Sequence, residues 1–154
     1  MKKLKQFDFN DCMRENLLRN IPPSNEKAEG SIKTARRWLE ESGKNLNGKA
    51  FNSSVMSSYL AMFHSARAIL FLDGFREKSH YCIARYLEEK YAKKKLLEDK
   101  WVELFDHYRE LRHDDQYSVS FFATEKEAED ALEIAEEFTE RMNKLLEDLK
   151  KAQK

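Results

Sequence analysis

The densest run of chemically capable side chains is Arg109-Glu110-Leu111-Arg112-His113-Asp114-Asp115-Gln116-Tyr117-Ser118. Arg112 can hold a phosphate or stabilise charge on it, His113 can move a proton near neutral pH, and Tyr117 offers a hydroxyl. The run reads in two ways. Either it grips a phosphate or a partner, or Arg112 and His113 balance a helix C-terminus while Asp114 and Asp115 form the turn beyond it. The other histidines, His64, His80 and His107, are scattered. None pairs with another histidine or a cysteine at i+3 or i+4, so no zinc spacing is present and no metal is expected. Single glycines rule out a phosphate-cradling loop, and no GxSxG elbow occurs. His64 reads as a core histidine, and His80 as part of a helix start.

These residues need helices to position them. Ala28, Ile32, Ala35 and Leu39 recur at three- and four-residue steps and predict a helix over 25–42. Residues 43–48, with two glycines and two asparagines, read as a loop. A second helix is expected over 50–72, ended by Gly74. It is apolar on two sides, with Val55, Tyr59, Met62, Phe63, Ala66 and Leu70 opposite Leu60, His64 and Phe71, and so belongs at the centre of a bundle. Further helices are predicted over 79–92 and 96–113, with 113–122 leaving the helix. Thr124 and Glu127 have the capping spacing that opens a last helix, to about Leu149. In that helix Ala128, Ala135, Met142 and Leu149 fall seven apart, with Ala131, Phe138 and Leu145 between them. The seam suits packing inside a bundle and also leaves a paired coil open.

The fold class is therefore all-α, an up-and-down antiparallel bundle of four to five helices over residues 24–150. Ile21-Pro22-Pro23 interrupts weak patterning, and residues 1–23 read as an N-terminal appendage. The chain has 154 residues, with 28 basic against 28 acidic side chains. That balance removes any general electrostatic case for gripping nucleic acid. Cys12 and Cys82 have no CxxC spacing and read as reduced thiols of a reducing compartment. The apolar stretch 59–75 reads as too short and too polar to span a bilayer. A cytoplasmic location follows as an expectation, with no membrane partner.

Ser58-Tyr59-Leu60-Ala61-Met62-Phe63-His64-Ser65-Ala66-Arg67-Ala68-Ile69-Leu70, then Gly74, then Lys78-Ser79-His80, resembles the HEPN family. The resemblance covers about residues 28–148, and Arg112 to Tyr117 fall where that family carries its Arg-centred motif. It is most similar to stand-alone prokaryotic HEPN proteins, which are often encoded beside a minimal nucleotidyltransferase. The resemblance implies a bundle that dimerises. In ribonuclease members an Arg, followed four to six residues later by a His, acts without metal across the dimer interface. Here Arg112 is present and His113 follows it directly, but Tyr117 stands where the downstream His is expected. A tyrosine, with a pKa of about 10, is a poor base near neutral pH.

The leading expectation is a homodimeric partner of a minimal nucleotidyltransferase in a toxin–antitoxin-like pair, with a nucleotide or RNA as a further ligand and no resident cofactor. In such pairs a motif tyrosine can receive AMP, and Tyr117 is the candidate acceptor. One alternative is a metal-independent endoribonuclease toxin in which Arg112 acts with His113 or Tyr117 and Asp115 orients them. The other is a plain helical adaptor that pairs through the seam of the last helix.

Overall fold

The computed structural model describes residues 6–117 and 119–153, without the side chains of Asp114, Asp115 and Gln116. Six α-helices and one short antiparallel pair of strands make up this span. In order they are α1 (Phe9–Arg14), β1 (Leu18–Asn20), α2 (Asn25–Asn47), α3 (Phe51–Asp73), β2 (Phe75–Glu77), α4 (His80–Leu87), α5 (Asp99–Tyr117) and α6 (Glu125–Ala152). α4 runs on into a π-helical turn over Glu88–Ala92.

α3 is the central element, packed by α2, α5 and α6. Its buried residues lie all round the helix, from Val55 and Tyr59 to Ala68 and Leu72, as its two-sided apolar pattern requires. By length and composition it could cross a membrane, contrary to the expectation from sequence. What marks it as a core helix is its surroundings, for 72% of its most apolar stretch is buried inside the protein. Small residues let α2 approach closely. The Ser42 hydroxyl bonds the hydroxyls of Ser54 and Ser58, at 3.0 and 2.8 Å, so these buried groups satisfy one another.

The far side of the core is aromatic. Phe105 of α5 lies 5.6 Å from Tyr59 and 6.0 Å from Phe138 of α6, centroid to centroid. Burying each such ring contributes about 2–3 kcal/mol. α6 opens at Thr124, whose hydroxyl accepts from the Glu127 amide at 3.1 Å. Ala128, Ala131, Ala135, Phe138, Met142 and Leu145 are all buried against the chain's own helices. The seam is thus consumed within the protomer and is not available for pairing between chains.

Three further expectations change. Residues 43–47 are helical rather than a loop. Leu46 packs on the core and Asn45 Nδ2 donates to Ser57 Oγ at 3.0 Å, and these contacts outweigh the cost of Gly43 in a helix. α5 does not stop at His113 but continues to Tyr117. Most consequentially, Cys12 and Cys82 are not free thiols: they form a disulfide across 70 residues of sequence. Residues that far apart carry no spacing signal, and only the fold brings α1 against α4.

The segment before α2 is packed onto the bundle. Asp8 and Asp11 cap α1 reciprocally. β1 pairs antiparallel with β2, Leu18 opposite Glu77 and Asn20 opposite Phe75. Gly74 makes the junction between α3 and β2 in the left-handed region, φ 90°. A Cβ there would lie 2.8 Å from the Ile21 carbonyl oxygen and 2.9 Å from Pro23 Cγ, so only glycine fits.

Candidate functional site

Arg112 lies on the part of α5 that faces α3 and the start of α4. Its guanidinium sits 5.3 Å from the centre of the Tyr59 ring. One of its terminal nitrogens is 3.5 Å from His80 Nδ1, and the Tyr59 hydroxyl is 2.9 Å from the same nitrogen. His80 is the first residue of α4, after Ser79 at the N-cap. Its ring stacks on Phe63 at 4.1 Å with planes 19° apart. A cation and a second imidazole also pack on Phe63. Arg67 lies 5.1 Å from the centre of Phe63, and His64 packs edge-on to Phe63 at 4.9 Å. Arg109, one turn before Arg112, lies 5.2 Å over Tyr81.

The electrostatics follow from burial among arginines. His80 is held down at about 4, first by burial and then by the positive charges of Arg112, Arg67 and Arg109. His64 is lowered to about 4 by burial and by Arg67. Tyr59 is pushed above its ordinary range by burial, although Arg112 and Arg109 pull the other way. Its hydroxyl therefore stays protonated and can donate. Arginine only donates, so the Nδ1 that faces both Arg112 and Tyr59 acts as an acceptor. These bonds assign His80 the neutral tautomer with its proton on Nε2. In this arrangement His80 presents an N–H, not a free lone pair.

Arg67 also makes an ion pair with Glu77, Nε to Oε1 at 2.7 Å, and the Glu77 side chain is almost fully buried. Burial raises the Glu77 pKa against the pull of Arg67. Glu-x-x-His spacing occurs twice, at Glu77–His80 and Glu110–His113. Among the described residues neither pair joins a group of three or more His, Cys, Asp or Glu side chains that could hold an ion.

The three residues singled out in sequence are not arranged alike. Arg112 is half-buried and turned to Tyr59 and His80, while His113 and Tyr117 are exposed one turn apart, ring centroids at 4.8 Å. Tyr117 is 65% exposed, and Val119 and Phe122 just beyond it are 98% and 80% exposed. The Asp115 side chain, expected to orient this group, lies outside the described residues. Because α5 continues past it, Arg112 is not a C-terminal dipole partner. Sequence reasoning about residue types passed over His80 and Tyr59 as capping and core groups. The signal that marks them is the family motif itself, since Tyr59 and the Lys78-Ser79-His80 helix start are two of its parts.

A profile described as HEPN domain matches residues 28–145. The chain belongs to the HEPN family. A Methanocaldococcus jannaschii protein named "Putative toxin MJ0605" is 25% identical over 124 residues, which is 80% of this chain and 92% of that relative. A Thermotoga maritima protein named "UPF0332 protein" is 25% identical over 118 residues, 77% of this chain and 89% of that relative. The matched HEPN span contains Tyr59, His80, Arg112 and Tyr117 but not α1, β1 or Cys12.

Proposed function

We propose that this HEPN protein is the toxin-type member of a two-component pair, a cytoplasmic homodimer that engages a minimal nucleotidyltransferase and receives AMP on Tyr117. The observation that carries the reading is the exposure of Tyr117 at the end of α5, beside His113 and ahead of exposed Val119 and Phe122. A phenol that must enter another enzyme's active site has to stand clear of its own fold. The apolar side chains around it suit a protein partner better than solvent. In the transfer the phenol oxygen would attack the α-phosphate of a nucleoside triphosphate. Its proton would pass to a base, and pyrophosphate would leave. The name of the archaeal relative supports the toxin half of the reading.

Co-expression with a minimal nucleotidyltransferase, followed by intact-mass and peptide analysis, tests it. An adenylyl adduct on the wild type, lost in Tyr117→Phe and kept in Tyr59→Phe, is the expected result. An unmodified wild type, or an adduct that survives Tyr117→Phe, would sink it.

The second reading, a metal-independent endoribonuclease built on Arg112, is favoured by the contact between Arg112 and the His80 imidazole, whose N–H could donate to a phosphate oxygen. Incubation with mixed RNA and a chelator separates the two readings. Cleavage by the wild type and not by Arg112→Ala supports the ribonuclease.

A further inference from the structure

The first turn of α4 is held from outside the HEPN span. Residues 7–20 form a strap across it. Leu17 accepts the Lys78 amide at 2.8 Å, and the Tyr81 hydroxyl donates to the Phe7 carbonyl at 2.7 Å. Cys82 is bonded to Cys12. His80 sits within this run, two residues after Lys78 and immediately before Tyr81 and Cys82. The strap thus grips the turn that presents His80 to Tyr59 and Arg112.

The rest of its hold is short and local: Leu18 is buried, and Phe9, Met13 and Leu17 pack on the core. α1 has 6 residues and β1 has 3, and the sheet has only two strands. Such a pair of strands is marginal alone. Phe9 adds a tilted contact with Tyr86 at 6.2 Å and lies 5.0 Å from Lys90 Nζ. α1 packs chiefly on α4 and β1 on β2, whereas α3 packs chiefly on α2 and α6 and also on α5. Cleaving one covalent bond would therefore leave a segment that opens far more easily than the bundle.

We propose that Cys12–Cys82 is a redox latch: oxidised, it clamps the strap on α4 and fixes His80, and reduced by a dithiol, it frees the strap and loosens the His80 turn. Both sulfurs are buried, so the reductant acts on a transiently opened strap. One thiolate of the dithiol attacks Cys12 or Cys82, breaking the S–S bond and forming a mixed disulfide. Its second thiolate then displaces the protein sulfur. The protein gains two electrons and two protons as two thiols, and the dithiol leaves as its own disulfide. Release also uncovers the Tyr86 ring of α4, against which Phe9 packs. The inference concerns α4 and the strap and does not depend on what Tyr117 or Arg112 does.

Hydrogen exchange on the full-length protein, oxidised, reduced with dithiothreitol, and as Cys12→Ser/Cys82→Ser, tests it. The reduced protein and the double variant are expected to lose protection by about tenfold or more over residues 9–20 and 80–84, while α3 and α6 keep theirs. Reoxidation should restore the reduced wild type but not the double variant. Equal protection in all three forms would overturn the latch. So would a loss shared evenly by every helix, which would make the bond a staple of the whole domain. Full alkylation of both thiols after oxidant treatment, before any reductant is added, would overturn it as well.

Discussion

The Tyr59 hydroxyl lies 2.9 Å from His80 Nδ1 and joins the middle of α3 to the first residue of α4. The same nitrogen faces the Arg112 guanidinium. Three elements far apart in sequence therefore meet on one ring nitrogen. That nitrogen accepts, so Nε2 of His80 carries the proton. As it stands the ring is a hydrogen-bond donor, suited to an anionic oxygen, and becomes a base only if Tyr59 and Arg112 let go of Nδ1.

The titration of His80 should depend on both neighbours. In nitrogen-detected NMR, His80 is expected as the neutral Nε2–H tautomer at pH 7, with a pKa near 4. Arg112→Ala removes a like charge, and Tyr59→Phe removes a donor to the neutral form, so each should raise the pKa toward the ordinary value of about 6.5. Arg112→Lys keeps the charge and should leave the pKa low. A His80 that titrates identically in all four proteins would contradict the geometry.

Stability should also follow pH. His64 and His80 both fall to about 4 on folding. Between about 6.5 and 4 the unfolded chain binds these protons and the folded chain does not. The stability contributed by the neutral imidazoles is complete above that window and lost as pH falls through it. Glu77, raised by burial, acts in the opposite sense and lowers stability as pH rises through its folded pKa. Urea titrations at successive pH values should give a shallower loss on acidification for His80→Gln than for the wild type. An equal slope would mean that His80 is protonated in the folded state.

Much of this architecture can be read from periodicity, because an apolar face at helical spacing has only one way to be buried. The two-sided pattern around Tyr59 and Met62 marked α3 as the centre, and Thr124 with Glu127 marked the start of α6. What periodicity cannot carry is partnership at long range. Cys12 and Cys82 are 70 residues apart, and Leu18–Asn20 is too short to show a strand period before it meets Phe75–Glu77. Local composition also misleads when packing overrides it, as at 43–47. Arg112 stood out by type in its charged run. Its partners Tyr59 and His80 look like core and cap residues until the fold puts them beside it.

The buried pair of Arg67 and Glu77 should be costly to break from one side. Arg67→Met strands a carboxylate whose side chain is 3% exposed, and the expected loss is about 3 kcal/mol at neutral pH. Arg67→Met/Glu77→Leu removes both charges and should recover most of it. The deficit of Arg67→Met should shrink as pH falls, because Glu77 is then protonated in any case. Denaturant midpoints for the two variants at pH 7 and 5 decide the matter. A double variant no better than the single would show that the pair does not act as a unit.

Two glycines in similar-looking contexts should respond with opposite signs to alanine. Gly43 lies inside α2, and an added Cβ there would meet no atom within 4 Å, so Gly43→Ala gains helix propensity at no steric cost. It should stabilise by about 0.5–1 kcal/mol. Gly74 has φ 90°, and its added Cβ would meet the Ile21 carbonyl oxygen and the Pro23 ring. Its own carbonyl accepts the Ile21 amide at 2.9 Å, so the chain at Ile21–Pro23 cannot draw back without losing that bond. Gly74→Ala should therefore destabilise by about 2 kcal/mol or more. If α3 instead ended with Gly74 clear of the N-terminal segment, only the modest cost of a left-handed alanine would remain, about 1 kcal/mol. The difference in urea midpoint between the two variants thus reports directly on whether the chain before α2 is seated against the end of α3.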